Sequence, residues 1–377
     1  MYNKSGRPDL PLMLTALACC CTGLLLAASL GYIGAAQELT SGSTDRLFVT
    51  HAVSMLAGTA ICAVLTFFGP QRLTAHAYML LAAGEVLTLL TLTPLGYSPD
   101  GSDDRAWLDL GYVTVQPSEI LKVCFILSFA AHISRYGGRI SRLRDLLLLL
   151  LHAAVPTATV WVQGDQGTGV IFTAVAAAML IAGGLEVRYL IGALLILPAV
   201  GAAVWTALLA EHQKQRILTI LDPTLDPLGA GYQQLASRSA IEGGGIFGSG
   251  LFSRERELVY VSQAENDFIF SYAAQVGGLV LCALIIVLEF AFVLRLLVLC
   301  GRAQDEGRLV LAGAAALFFT HTFVNIAMVL GFMPVIGVPL PFISAGGTAT
   351  VSMLALTGAA QGAKNIKTEE YLCRSTS

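Results

Sequence analysis

The chain has 377 residues, of which 55% are hydrophobic and 12% are charged, and its formal net charge is -3. Soluble domains carry charge on about a quarter of their residues, so this composition, with a mean hydropathy of +0.72, excludes an ordinary soluble protein. The small net charge gives no indication of a nucleic-acid partner.

Apolar runs long enough to cross a bilayer core, which takes about 20 residues, recur along the whole chain. They predict an all-α, polytopic membrane bundle of about ten transmembrane helices that forms one integral-membrane domain, residues 1–377. The first run is too long for a signal-peptide core and is expected to be retained. The predicted spans are 11–34, 47–69, 75–95, 117–133, 145–163, 168–184, 187–210, 267–299, 307–331 and 346–362.

Lysine and arginine are concentrated in alternate connections between these spans. The connection RYGGRISRLR at 135–144 is the clearest case, whereas the short connections of the opposite side hold only Arg46 and Arg105. The positive-inside rule therefore predicts a multi-pass membrane protein with both termini in the cytoplasm. The aspartate-rich connection 96–116 and the long loop 211–266, between helices 7 and 8, then face outward.

The fourth span opens with QPSEILKV, residues 116–123. Glu119 and Lys122 are three residues apart and share one helix face, and charges within a membrane usually pair and face the bundle interior. The two residues form a structural ion pair, line a substrate cavity, or do both.

QGDQGTGV, residues 163–170, connects the fifth and sixth spans on the outer side. Asp165 precedes a helix whose free N–H groups favour an anion, which is typical of an N-terminal cap. The glycines around it would let the backbone approach a ligand closely, so ligand binding stays open.

Asp267, in QAENDFIFSY (263–272), directly precedes the eighth span. Aspartate before an apolar helix is typical of a cap. The alternative is a carboxylate in a partly desolvated pocket, where its pKa rises and it can accept a proton from a sugar hydroxyl. The residues alone favour the cap.

Farther along, His321 and Asn325 lie four residues apart in the ninth span and are expected to bond across helices. GFMPVIGVPLPFISAGG, residues 331–347, holds three prolines and four glycines, too many for a regular helix. Irregular backbone at membrane depth persists only inside protein or beside a wet cavity. A re-entrant segment over about 332–345 is therefore predicted.

Six blocks, in this order along nearly the whole chain, resemble the SEDS family of bacterial cell-wall assembly, the FtsW/RodA/SpoVE group. They are DDRAWLDLG (103–111), QPSEILK (116–122), DQGTG (165–169), SAIEGGGIFGSGL (239–251), NDFIF (266–270) and GVPLPFISAGG (337–347). Glu265-Asn266 replaces the family's His-Thr and Gln275 replaces a common glutamate, which is typical of a divergent member.

The resemblance implies a peptidoglycan glycosyltransferase in the bacterial cytoplasmic membrane. It would polymerise lipid II into glycan strands on the outer face, with a class B penicillin-binding protein as its partner transpeptidase. Asp267 aligns with the family's catalytic aspartate, Asp165 with the acidic residue of its central cavity, and Glu119 and Lys122 with its buried pair. The other substrate-binding candidates are Arg105, Arg238 and Ser344.

Pyrophosphate departure calls for a cation, supplied by arginine, by lysine or by a divalent ion such as Mg2+. A lipid II flippase and a non-catalytic scaffold for the transpeptidase are the alternative functions. The sequence does not distinguish elongation, division and sporulation.

Overall fold

The computed structural model describes residues 8–37, 44–68, 74–98, 104–111, 113–226, 229–253 and 258–364. Within these ranges the chain forms twelve α-helices and a three-stranded antiparallel sheet. The elements are α1 (Leu10–Gln37), α2 (Thr44–Phe68), α3 (Ala77–Leu90), β1 (Gly96–Tyr97), β2 (Trp107–Asp109), β3 (Thr114–Val115), α4 (Pro117–Ser134), α5 (Leu143–Val162), α6 (Gln166–Ala182), α7 (Val187–Ala203), α8 (Glu211–Leu218), α9 (Ala230–Gly244), α10 (Ile269–Cys300), α11 (Asp305–Val329) and α12 (Gly347–Ala363).

The predicted helical membrane bundle is confirmed. In the described ranges, seven helices are long and apolar enough to cross a membrane, namely α1, α2, α4, α5, α7, α10 and α11. The shorter apolar helices α3 and α6 and the 17-residue α12, which packs along α2, lie among them. These ten helices correspond to the ten predicted spans, because hydropathy is a local property of the sequence.

Helix α11 is central to the bundle and packs against α4, α6, α10 and α12. Phe318 on α11 stacks on Phe342 at 5.2 Å between ring centroids, and Phe292 of α10 meets both rings edge to face at 4.7 and 5.1 Å. All three rings are fully buried. The aromatic cluster therefore joins α10 and α11 to the irregular segment that precedes α12.

Both described ends of the chain lie on one face of the bundle. The Asp9 backbone N–H donates to Gln361 Oε1 at 2.9 Å, and Gln361 Nε2 donates to the Asp9 carbonyl at 3.2 Å. Arg295 on α10 donates twice to the Asp9 carboxylate, at 2.8 and 2.6 Å. The beginning of α1 and the ends of α10 and α12 are thus bonded together.

The long connection 209–268 carries α8, a 3-10 helix at Pro223–Leu225, and α9. Its glycine-rich part meets α10 where that helix is kinked at Gly278, with φ 62° and ψ -162°. A kink leaves backbone groups unpaired, and within a membrane they need partners. Segment 245–250 supplies them: Ser249 and Gly250 donate to the carbonyls of Gln275 and Val276, and the carbonyls of Gly245 and Ile246 accept from Leu279 and Val280.

Between α11 and α12 the backbone is irregular and enters the bundle. Leu340 to Ile343 are buried, and Phe342 has a positive φ of 58°. A non-glycine residue in this region is strained, and the ring stacking described above holds Phe342 there. The chain is therefore buried inside the protein at 340–343, and a re-entrant segment over the full range 332–345 stays a prediction.

Candidate active site

Asp267 lies on the bundle face opposite the described ends of the chain at Asp9 and Gln361, and it does not cap a helix. Helix α10 begins two residues later, its cap position is Phe268, and no side chain caps it. Residues 263–268 instead form a turn in which the Gln263 carbonyl accepts the N–H groups of Asn266 and Phe268. The cap interpretation, which the residues alone favoured, is wrong.

The Asp267 carboxylate is partly buried, and it receives no hydrogen bond from the part of the chain that the structure describes. Gly337 lies beside it and has a positive φ of 64°. A Cβ atom added at Gly337 would lie 3.3 Å from Asp267 Oδ2. A side chain at residue 337 would therefore crowd the carboxylate.

Burial raises the pKa of the Asp267 carboxyl to about 7, and the negative charges of Asp165, Asp104 and Glu265 act in the same direction. Desolvation and neighbouring like charges both disfavour the ionised form of an acid. An acid with a pKa close to neutrality can accept and release a proton at physiological pH, as a general base requires.

Asp165 is both the N-terminal cap of a helix and one of the carboxylates clustered around Asp267. It caps α6 through the Thr168 N–H, which donates to Oδ1 at 2.9 Å, and Gln116 Nε2 donates to Oδ2 at 3.0 Å. Burial raises its pKa to about 6 despite the Thr168 hydrogen bonds, which lower it. Because the described residues give donors to Asp165 and none to Asp267, Asp165 is the better stabilised anion of the two.

The predicted Glu119–Lys122 pair forms, and it lies inside the bundle. Lys122 Nζ is 2.8 Å from Glu119 Oε1, and both side chains are 3% exposed. Lys122 Nζ also lies 3.0 Å from His321 Nε2, and His321 Nδ1 lies 3.2 Å from the Pro339 carbonyl. Because the ammonium group can only donate and the carbonyl can only accept, His321 is neutral with its proton on Nδ1. The geometry favours a structural pair over a cavity lining.

The three other candidate residues lie on the same face as Asp267 but differ in exposure. Arg105 is exposed beside β2, and its backbone N–H donates to the Gln163 carbonyl at 2.9 Å. Arg238 on α9 is half-buried and donates to the Gly331 carbonyl at 3.3 Å. Ser344 is 3% exposed, and its hydroxyl is fully engaged, donating to the Asn266 carbonyl at 2.7 Å and accepting the Leu340 N–H at 2.8 Å. Substrate binding by these residues stays a prediction.

Two residues near the site were not singled out from the sequence. Asp104 contributes to the raised pKa of both aspartates, and Gln116 donates to Asp165 while its own N–H donates to Thr348 Oγ1 at 3.3 Å. Within the described ranges, no three His, Cys, Asp or Glu side chains are arranged to hold a metal ion.

Gly167, one of the glycines that follow Asp165, packs closely against another part of the chain, and ligand binding there stays a prediction. A Cβ at Gly167 would lie 2.2 Å from the Ile336 carbonyl oxygen. Gly167→Ala is therefore expected to force α6 and segment 336–339 apart and to destabilise the fold by about 1–3 kcal/mol, the usual cost of overpacking. The melting temperature in detergent measures this.

Gly192→Ala on α7 is the matched control, because a Cβ there meets nothing within 4 Å. It should leave the melting temperature unchanged or raise it slightly, since alanine is the better helix former. An equal response of the two variants would contradict the close packing at Gly167.

Residues 10–368 match the FtsW/RodA/SpoVE family model, described as cell cycle protein. The chain is 32% identical over 335 residues to the peptidoglycan glycosyltransferase MrdB of Escherichia coli K12, covering 88% of this chain and 89% of that protein. It is 27% identical over 363 residues to the stage V sporulation protein E of Bacillus subtilis, covering 95% and 97% of the two chains.

Two solved structures share the fold. One is a chain from a study of how a peptidoglycan synthase complex coordinates polymerization and crosslinking, with TM-score 0.78, 27% identity, and coverage of 95% of this chain and 97% of that chain. The other is the rod shape determining protein RodA of Thermus thermophilus, with TM-score 0.68, 24% identity, and coverage of 95% and 96%.

Proposed function

The chain belongs to the FtsW/RodA/SpoVE family of cell cycle proteins, and we propose that it polymerises lipid II into glycan strands in cell elongation, division or sporulation. The relatives named peptidoglycan glycosyltransferase support this activity. The observation that carries the proposal is the Asp267 carboxylate, which receives no hydrogen bond from the described residues and has a pKa close to neutrality, beside the irregular segment 336–339.

In the proposed reaction, Asp267 takes the proton of the acceptor sugar's 4-hydroxyl. The freed oxygen forms a bond to the anomeric carbon of the donor lipid II as the bond from that carbon to the pyrophosphate oxygen breaks. Undecaprenyl pyrophosphate leaves with the electron pair, and the configuration at the anomeric carbon inverts. A positioned base contributes about 10²- to 10⁴-fold to such a proton transfer.

The leaving pyrophosphate needs positive charge. Arg105 and Arg238 are the candidates on the Asp267 face, because Lys122 is buried and paired with Glu119. Mg2+ is proposed only as an ion carried by the substrate's pyrophosphate oxygens, a common way for Mg2+ to enter active sites, and no step depends on it.

The proposed partner is a class B penicillin-binding protein, which supplies crosslinking. A structural neighbour comes from a peptidoglycan synthase complex that polymerises and crosslinks. The described ends of the chain, joined at Asp9 and Gln361, share the face opposite Asp267, and the arginine-rich connection 135–144 lies on that same face. The positive-inside rule supports cytoplasmic termini and an outward-facing Asp267.

Purified chain, mixed with its partner transpeptidase and labelled lipid II, tests the function through the appearance of glycan strands on a gel. Strand formation by the wild-type protein is expected. Absence of strands together with lipid II scrambling in vesicles would instead identify a flippase, and absence of both activities would leave a scaffold.

A further inference from the structure

Three consecutive carbonyl oxygens lead up to α10, and each accepts a hydrogen bond from a distant segment. The Glu265 carbonyl accepts the Ala345 N–H at 2.9 Å. The Asn266 carbonyl accepts from Ser344 Oγ, and the Asp267 carbonyl from Asn325 Nδ2, both at 2.7 Å. The backbone is thus held at all three residues, whereas the Asp267 carboxylate receives no bond from the described residues.

The Asn325 side chain bonds to two segments of the site, the turn that carries Asp267 and the irregular segment 336–339. It is fully buried, and Nδ2 also donates to the Val338 carbonyl at 2.7 Å, so both amide hydrogens are used. Val338 follows Gly337, where an added Cβ atom would lie 3.3 Å from the Asp267 carboxylate. One amide group therefore sets the spacing between the Asp267 backbone and the segment that flanks its carboxylate.

Asn325 is also part of a stripe on α11. His321, Asn325 and Met328 recur at the i, i+4 and i+7 spacing that places side chains on one helix face. They meet successive groups of the irregular segment: His321 bonds to the Pro339 carbonyl, Asn325 to the Val338 carbonyl, and Met328 Sδ accepts the Ile336 N–H at 3.4 Å. A rigid helix thus determines the path of backbone that has no secondary structure of its own.

We propose that Asn325 is a positioning residue that holds the Asp267 carboxylate in place for proton transfer, an inference that rests on the function proposed above. Misplacing a reacting group by 1 Å can lower a rate by about 10²-fold. The effect acts on the chemical step, because Asn325 is buried and out of reach of the substrate.

Asn325→Asp tests the proposal. The variant keeps the size of the side chain but can donate one hydrogen bond at most, and only when its carboxyl is protonated, so at least one of the two bonds to the carbonyls is lost. In the strand-formation assay its kcat is expected to fall about 100-fold, with the KM for lipid II within about 3-fold of wild type. In an Asp267→Asn background, the same change should cause no further loss of the residual rate, since the group it positions is gone.

Thr322→Val on the same helix is the matched control. Thr322 is buried and donates to Glu289 Oε2 on α10 at 3.2 Å, not to the turn that carries Asp267, so this variant should lose stability without losing kcat. If Asn325→Asp does not fold, Ser344→Ala decides, because it frees the neighbouring Asn266 carbonyl. It should also lower kcat, by a smaller factor on the order of 10, at unchanged KM, because the buried Ser344 hydroxyl is already bonded to the chain itself.

The outcomes separate the two proposals. Wild-type protein that forms no strands overturns the proposed function. Wild-type protein that polymerises while Asn325→Asp, or Ser344→Ala in its place, keeps the wild-type kcat overturns the positioning role alone. Full additivity of Asn325→Asp with Asp267→Asn also overturns it, because the residue would then act independently of the carboxylate.

Discussion

Asp267→Asn is expected to lower the rate of lipid II polymerisation by about 10²- to 10⁴-fold, the range for loss of a general base. Asparagine has the same shape but cannot accept the proton of the sugar hydroxyl. The initial rate of strand formation by the purified variant with its partner transpeptidase measures the effect. Asp109→Asn, at an exposed position on β2, is the control and should polymerise at the wild-type rate.

The same substitution, Asp267→Asn, should not destabilise the folded protein and should stabilise it at neutral and higher pH. Because the folded-state pKa of Asp267, about 7, lies above the usual value of 3.8 for an aspartate carboxyl, ionisation favours the unfolded state as pH rises between these values. The protonated Asp267 carboxyl therefore favours the folded wild-type protein at low pH, and this stabilisation is lost as pH rises through about 7. Asp267→Asn shows no such loss, because asparagine does not ionise. The variant should melt with the wild type near pH 4 and above it near pH 8, so its inactivity would not reflect unfolding. Wild-type activity in this variant would refute the role of Asp267.

Lys122→Met is expected to destabilise the protein by about 3–5 kcal/mol, because it leaves Glu119 buried without its partner. Both side chains are 3% exposed and the pair is 2.8 Å long. For a chain of this size the melting temperature in detergent should fall by about 6–10 °C. The added change Glu119→Met should recover at least half of the loss, since replacing a whole buried pair by apolar groups is often neutral.

The chain contains a matched surface pair. Lys214 and Glu211 on α8 have the same i, i+3 spacing and the same 2.8 Å distance, but Glu211 is 83% exposed. Surface pairs contribute about 0–1 kcal/mol, so Lys214→Met should shift the melting temperature by only about 1 °C. Equal losses at residues 122 and 214 would contradict the account of the buried pair.

Short-range features were predictable from the sequence. The membrane spans, the Glu119–Lys122 pair and the Asp165 cap each depend on residues within one helix or one turn, where spacing decides the contacts. The expected bonding of His321 and Asn325 across helices followed from polar side chains in an apolar run, although their partners could not be identified.

The meeting of several carboxylates around Asp267 was not predictable from the residues alone. Asp104 and Asp165 reach the same site from two separate connections, and no local pattern reports such a meeting. The cap interpretation of Asp267 failed because Gln263, with a positive φ of 56°, turns the chain and delays the start of α10. The aspartate-rich composition of segment 96–116 was the one signal for Asp104, and it did not separate that residue from its neighbours.

The pH dependence of kcat/KM for strand formation tests most directly whether the Asp267 carboxylate is the base. The wild-type rate should rise tenfold per pH unit below an apparent pKa of about 7 and level off above it, because only the ionised carboxylate accepts the proton. Of the neighbouring carboxylates, Asp165 raises the pKa of Asp267 most. Asp165→Asn removes that charge while asparagine still caps α6, so the pH profile of this variant should shift to lower pH. A wild-type rate that stays constant from pH 5.5 to 8.5, or an unshifted profile in Asp165→Asn, would contradict the account.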